Sequence, residues 1–227
     1  MKLKILLALR GDISPDIKPN GRFHHADELI RFIMSVTISI LLRPVIRRDI
    51  RKVKIIVADI ENLKRKADAG ASQLVTQLFL DNDYFYSFQE RVALAGINLP
   101  IEAGIMPVTN KKQIERMVKL CGVHLPKKFM RVMDKYENNP EALRDAGIAY
   151  AIDQIVDLTA HGADGIHLYT MNKPYIAQKI FAAVESYEIT FGRALMFLQQ
   201  FRRDQFFRAI ITISLWTPAD AKKRLCL

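Results

Sequence analysis

Asp59, Asn62 and Lys66 stand at i, i+3 and i+7, a spacing that puts them on one helix face with Arg65 beside them. Such a face either holds a polar ligand or is simply solvated, and spacing alone does not choose. Gln77 lies inside the apolar run Leu-Val-Thr-Gln-Leu-Phe-Leu, where an unpaired buried amide costs roughly 1 to 3 kcal/mol. A structural hydrogen bond or a ligand contact would satisfy it. Asp12 follows an apolar run and Arg10-Gly11, which suits a turn residue capping its own loop or a functional side chain at a strand end. Gln113 and Lys173 also follow predicted strands and would otherwise pass as surface residues. His167, inside Ile-His-Leu-Tyr, reads as a core histidine. His24 and His25 near Asp27 lack metal-ligand spacing.

The elements that must carry these residues alternate in type. Residues 4–9 form an apolar strand that exits into a Pro- and Gly-bearing loop, and residues 26–35 have the apolar spacing of a helix. A second helix is expected over 59–69, with Asp59 as N-cap and Gly70 as its stop. A strand over 73–80, a helix over 81–95 ended by Gly96 and a strand over 99–108 follow. Thr109 is expected to cap a helix running to Cys121, Pro126 to open a short one, and Pro140 to begin a longer one reaching about Ala160. A strand over 165–170 and a helix over 173–186 close the series, and a further strand fits around 36–42. Such alternation, with largely apolar strands, predicts the α/β class with parallel strands and outer helices. No Gly-x-Gly-x-x-Gly or Gly-Lys-Ser/Thr loop supports a nucleotide-binding doubly wound sheet. Four clear strands and a fifth candidate predict a partial (β/α)8 TIM-type barrel, since a complete one takes about 250 residues.

Charge is the unusual entry in the composition of these 227 residues: 34 Lys+Arg against 24 Asp+Glu, formally +10. A balance like that raises nucleic acid or an anionic membrane as partners. Residues 42–54 contribute +5 and residues 193–227 another +5, so the rest of the chain is neutral. The basicity belongs to two short segments. Cys121 and Cys226 have no spacing that suggests a disulfide framework or zinc site. The apolar stretch before Arg10 is shorter than the roughly 7 to 15 residues of a signal sequence, and residues 32–42 are about half a membrane span. The expectation is a reducing, cytoplasmic protein with neither membrane nor nucleic acid as partner.

Five blocks, in order, then carry a resemblance: Leu-Leu-Ala-Leu-Arg-Gly-Asp (residues 6–12), Asp-Ile-Glu-Asn-Leu-Lys-Arg-Lys-Ala-Asp-Ala-Gly-Ala (59–71), Thr-Gln-Leu-Phe-Leu-Asp (76–81), Gly-Ile-Met-Pro-Val-Thr-Asn (104–110) and Gly-Ile-His-Leu-Tyr-Thr-Met-Asn (165–172). Together they resemble the methylenetetrahydrofolate reductase family. The resemblance implies a (β/α)8 flavoprotein that passes hydride from NADH or NADPH through FAD to 5,10-methylenetetrahydrofolate, and a homo-oligomer for full-length members. It assigns Arg10, Gly11 and Asp12 to flavin contact, with Asp12 also against the pterin as the catalytic candidate. Ala26 matches a flavin contact, and Asp59, Asn62, Arg65 and Lys66 match the helix holding the ribose and phosphates of FAD. The chemistry agrees, since two cations suit a pyrophosphate and a carboxylate or amide suits hydroxyls. Gln77 and Gln113 match folate contacts, where an amide both donates to and accepts from a pterin edge. Lys173 stands where the family usually has Arg, so bidentate pairing to a carboxylate would be lost.

Three departures qualify the match. Met1 falls just before the family's fourth strand, so three βα units, with the glutamate expected as general acid, are expected to be absent. Residues 37–57 replace a Tyr- and His-bearing loop with basic sequence of fitting length, and the tail from residue 187 has no counterpart. Domains are therefore expected at 1–186, an incomplete catalytic domain, and 187–227, an atypical basic tail. Correct spacing with foreign content fits compensating frameshifts. The competing expectations are a catalytically dead fragment, a partner-binding half-barrel, or nucleic-acid or membrane binding through the basic segments, the tail interleaving Phe and Arg.

Overall fold

The computed structural model describes residues 5–8, 23, 25–36, 41–46, 53–171, 173–185 and 212–216. Its first elements are β1 (Ile5–Ala8), α1 (Ala26–Val36), β2 (Leu41–Ile46), α2 (Val53–Asp68), β3 (Leu74–Thr76) and α3 (Asn82–Leu94). There follow β4 (Ile101–Ile105), α4 (Lys111–Cys121), α5 (Lys127–Tyr136), α6 (Pro140–Ala160), β5 (Gly165–Tyr169), α7 (Pro174–Val184) and β6 (Thr212–Trp216). They fall into two compact units, Met1–Gln77 with Phe88–Ile101, and Leu78–Ser87 with Glu102–Leu227.

In the first unit β1, β2 and β3 are parallel neighbours. Ile5 pairs with Leu41 and Ala8 with Pro44, while Val45 pairs with Val75 and Ile46 with Thr76. Parallel neighbours cannot be joined by a tight turn, so α1 and α2 serve as the crossovers. Ile30 of α1 packs with Ala69 and Ala71, and Leu29, Ile33 and Leu99 close over them. The strand expected around 36–42 lies later, because α1 continues through Val36. Pro44 sits inside β2 and has no N–H to give to a ladder, an awkward residue for a strand flanked on both sides.

Helix α2 corrects a boundary. It begins at Val53, so Asp59 is an interior residue and not the N-cap. The preceding residues, Val-Lys-Ile-Ile-Val-Ala, contain no helix breaker, and nothing in them stops the helix from starting early. Its end matches expectation: Gly70 takes φ 103°, a left-handed conformation that suits glycine. Strand β3 is also shorter than the expected 73–80. Only Val75 and Thr76 meet β2, and Leu74 N–H donates to Pro100 O at 2.9 Å. Leu78 and Leu80 owe their hydrophobicity to a core and not to a ladder.

In the second unit β4 and β5 run parallel, with Glu102 opposite Gly165 and Ile105 opposite Leu168. β6 pairs antiparallel with β5, Gly165 meeting Trp216 and Tyr169 meeting Thr212. That corrects the expectation of parallel strands alone: an open strand edge offers unpaired backbone groups, and the Thr-Ile-Ser-Leu-Trp of the tail has strand composition. Leu78, Leu80, Met106, Val108, Phe129, Met133 and Leu143 form the core. Fully burying side chains of this size contributes roughly 1.5 to 3 kcal/mol each. Helix α6 starts at Pro140, as the sequence predicts, and the structure adds Asn139 as its N-cap, accepting from Ala142 N. Its Gly147 is a contact point. A Cβ there would lie 1.7 Å from Val108 O, so only glycine lets the helix approach the backbone that leads into Thr109. Strand-helix alternation with parallel neighbours makes this a mixed α/β fold, consistent with part of a TIM-type barrel.

Candidate functional site

The first group of candidates lies on α2. Asp59, Asn62 and Lys66 are half-buried and Arg65 is exposed. Asn62 Oδ1 accepts a hydrogen bond from Arg65 Nη2, an i, i+3 contact that tethers the guanidinium over the amide. Ala26 is the first residue of α1, half-buried. Arg10, Gly11 and Asp12 lie outside the described residues. Gln77 is half-buried just beyond β3.

The second group is brought together by tertiary structure. Gln113 is in the first turn of α4, Thr109 is in the loop before it, and Lys173 immediately precedes α7. Gln113 Oε1 accepts from Thr109 N at 3.0 Å and from Thr109 Oγ1 at 3.3 Å. Lys173 Nζ donates to the same Thr109 Oγ1 at 3.0 Å. Asn110, not Thr109, is the N-cap of α4: its Oδ1 accepts from Gln113 N at 2.8 Å. Gln113 returns the bond one residue further back, a variant of the capping box. Thr109 is thus freed from capping, and its buried hydroxyl links two residues 60 positions apart in the chain (Gln113 and Lys173). Reading the sequence missed this role. The signal available was Thr-Asn followed by Gln at the third helical position.

Deeper in the second unit, Glu102 and His167 face each other. His167 Nδ1 is 3.4 Å from Glu102 Oε2 and both side chains are buried. Neither His167 nitrogen completes a hydrogen bond among the described residues. His167 is therefore a core residue, as its strand position predicts, packed edge-on to Tyr169 at 4.7 Å.

A third polar cluster joins α3 to α6. Asn82 Nδ2 donates to Asp157 Oδ2 at 2.6 Å, and Tyr86 Oη donates to the same oxygen at 2.7 Å. His161 Nδ1 lies 3.2 Å from Asp157 Oδ1. Gln154 Nε2 donates to Phe79 O at 3.3 Å and to Asn82 Oδ1 at 3.1 Å, fixing the amide that serves Asp157. The Asn82 bond, then the Tyr86 bond, hold the Asp157 carboxyl below the usual carboxylate range. Burial, then the bond to Asp157, push the Tyr86 phenol above its ordinary value. Burial also lifts Tyr150 to about 12, and its hydroxyl donates to Leu80 O at 2.7 Å. These contacts hold the ends of α3 and α6 in place.

Among the described residues no group of three or more His, Cys, Asp or Glu could hold a metal ion, and no helix is long and apolar enough to cross a membrane.

The family model for methylenetetrahydrofolate reductase matches residues 1–185. The chain belongs to the methylenetetrahydrofolate reductase family. The matched span includes residues 37–57 and stops where the sequence turns atypical. The chain is 30% identical over 179 residues to the 5,10-methylenetetrahydrofolate reductase of Pectobacterium carotovorum subsp. carotovorum, covering 78% of this chain and 59% of that protein. The enzyme of the same name from Escherichia coli (strain K12) is also 30% identical over 179 residues, covering 78% and 60%. Methylenetetrahydrofolate reductase (NADH) 1 of Arabidopsis thaliana is 40% identical over 115 residues, 51% of this chain and 19% of its own length. The chain thus spans about three fifths of the length of the bacterial relatives it matches.

Proposed function

We propose that this chain carries flavin- and folate-binding elements of a reductase that converts 5,10-methylenetetrahydrofolate to 5-methyltetrahydrofolate, with NADH or NADPH as donor. FAD, when bound, would accept the hydride and pass it to the one-carbon unit of the folate. The observation that carries the reading is the convergence of Gln113 and Lys173 on Thr109. Two residues matched to folate contacts, far apart in sequence, meet at one hydroxyl. On α2 the donor set fits the cofactor's polar half: Arg65 and Lys66 suit the pyrophosphate, Asp59 and Asn62 the ribose hydroxyls. Arg10, Gly11 and Asp12 are assigned to the flavin by resemblance, with Asp12 also placed against the pterin.

Lys173 would bring positive charge to a carboxylate of the substrate, and Gln77 and Gln113 would orient the folate by hydrogen bonds. The chain spans about three fifths of the length of its bacterial relatives, so the whole reductase's activity is itself part of this proposal. The test uses the purified full chain. FAD fluorescence is titrated against it, and oxidation of NADH and of NADPH is followed with and without methylenetetrahydrofolate. Saturable FAD quenching that requires Arg65 and Lys66 supports the reading. A chain that binds neither FAD nor 5-methyltetrahydrofolate sinks it. NAD(P)H oxidation that depends on methylenetetrahydrofolate would show that the chain carries the activity by itself.

A further inference from the structure

Between the helices of the second unit lies a cavity of about 380 Å³, a size within the range of small-molecule sites. None of the residues matched to folate or flavin lines it. Lys111, Ile114, Glu115 and Val118 stand at i, i+3, i+4 and i+7, so one face of α4 forms one wall. Gln113 is off that face, with its amide turned back to Thr109 and Pro107. Leu125, Met130 and Met133 of the α5 region and Leu143 of α6 supply the rest of the apolar wall.

Burial is graded across this wall. Ile114, Met133 and Leu143 are buried and belong to the core, whereas Val118, Leu125 and Met130 are half-buried. The cavity therefore runs from the core toward the surface along apolar side chains. Two of them are methionines, unbranched and polarisable, which adapt to the shape of an apolar guest. Charge is confined to the exposed lining residues Lys111, Glu115 and Asp134. The Lys111 ammonium is engaged by Glu137, whose Oε1 accepts from Nζ. Asp134 and Glu115 also act on it through space, so three carboxylates surround one cation and the mouth is acidic on balance.

Apolar walls behind an acidic mouth fit a molecule with an apolar body and a cationic end. We infer that this cavity binds a small amphipathic cation, an alkyl- or arylammonium. Its apolar part packs against Ile114, Met130, Met133 and Leu143, and its ammonium meets Glu115 and Asp134. An anionic amphiphile of the same length faces the same two carboxylates and is rejected by them. The site is separate from the folate and flavin residues, and its occupation does not depend on either ligand.

Hexyl-, heptyl- and octylammonium are titrated calorimetrically against the full chain, with 1-octanol and octanesulfonate as neutral and anionic controls. Each methylene buried should tighten binding by about fourfold. Octylammonium should bind more tightly than octanol, and octanesulfonate more weakly than both. Glu115→Gln with Asp134→Asn, both at exposed positions, should weaken octylammonium by roughly three- to tenfold and leave octanol unmoved. Met130→Trp puts an indole into the cavity and should abolish binding of every chain length. Thermal melts show whether that variant folds, and where it does not, the pair at the mouth decides. Octanesulfonate binding as tightly as octylammonium, affinity independent of chain length, or no response to the pair at the mouth overturns the inference. Displacement of octylammonium by FAD or 5-methyltetrahydrofolate overturns it too, because the amine would then sit in their site.

Discussion

Helix α2 carries Asp59, Asn62, Arg65 and Lys66 on one continuous stretch of backbone, whereas Gln113, Thr109 and Lys173 come from the start of α4, the loop before it and the residue before α7. In the first group the register of a single helix sets the spacing, and nothing beyond that helix is needed to make the face polar. In the second group the spacing exists only because β4, α4 and β5 are packed as they are. The difference predicts opposite responses to mutation. The helical face should behave as a sum of nearly independent contacts. The three-element cluster should behave as a unit and should fail when its scaffold moves.

The largest effect is expected from Gly147→Ala. Its new Cβ would meet Val108 O at 1.7 Å, and backbone cannot swing aside as a flexible side chain can. Destabilisation of about 3 kcal/mol or more should follow, lowering the melting temperature by roughly 6 to 12 °C for a chain of this size. Because Val108 leads directly into Thr109, whatever protein remains folded should lose folate affinity before it loses FAD affinity. A mutant that melts like the unmodified chain would show that α6 does not press on this backbone. Next in size is Arg65→Ala with Lys66→Ala. A charge-assisted contact is worth roughly 1.5 to 3 kcal/mol, so the pair should cost FAD affinity at least about a hundredfold while folate binding is spared. Unchanged flavin quenching would assign α2 to solvent.

The contrast between the two groups is itself measurable by double-mutant cycles. Asp59→Ala and Lys66→Ala, i and i+7 on one helix, should be additive in FAD binding to within about 0.5 kcal/mol. Thr109→Val and Lys173→Ala, in direct contact, should show a coupling of roughly 0.5 to 3 kcal/mol in folate binding. Coupling of the same size in both pairs would dissolve the comparison.

The same contrast explains what could be read from the sequence. The i, i+3, i+7 pattern on α2 is a property of local geometry, so it survived even though the helix start was misplaced by several residues at Asp59. The limits of α6, read at Pro140 and about Ala160, were legible because proline at a helix start is local chemistry. Thr109 was not legible in its actual role. A threonine before a helix looks like a cap, and only the placement of Lys173 shows which partner its hydroxyl serves. The short β3 and the antiparallel β6 went unread for a related reason. Hydrophobic runs record burial, but whether burial is against a ladder or a core depends on residues distant in sequence, as with Leu78 and Leu80.

A smaller and purely structural effect concerns the junction of α3 and α6, where the sign can be worked out from both partners. Asp157 has a depressed folded pKa, so its contribution is present above the unfolded value of about 3.9 and is lost as pH falls through the folded one. Tyr86 has a raised folded pKa, so its contribution is present below about 10 and is lost as pH rises. One hydrogen bond, Tyr86 Oη to Asp157 Oδ2, is thus eroded at both ends of the pH scale. The Asp157 side chain is 46% exposed, so screening should hold the acid-side effect below about 1 kcal/mol. Asp157→Asn should lower stability at neutral pH and remove that part of the decline below about pH 4. Tyr86→Phe should instead remove part of the alkaline decline. Urea denaturation across the pH range reads both, and an Asp157→Asn curve parallel to that of the unmodified chain throughout would mean that the carboxylate is not held by Asn82 and Tyr86 at all.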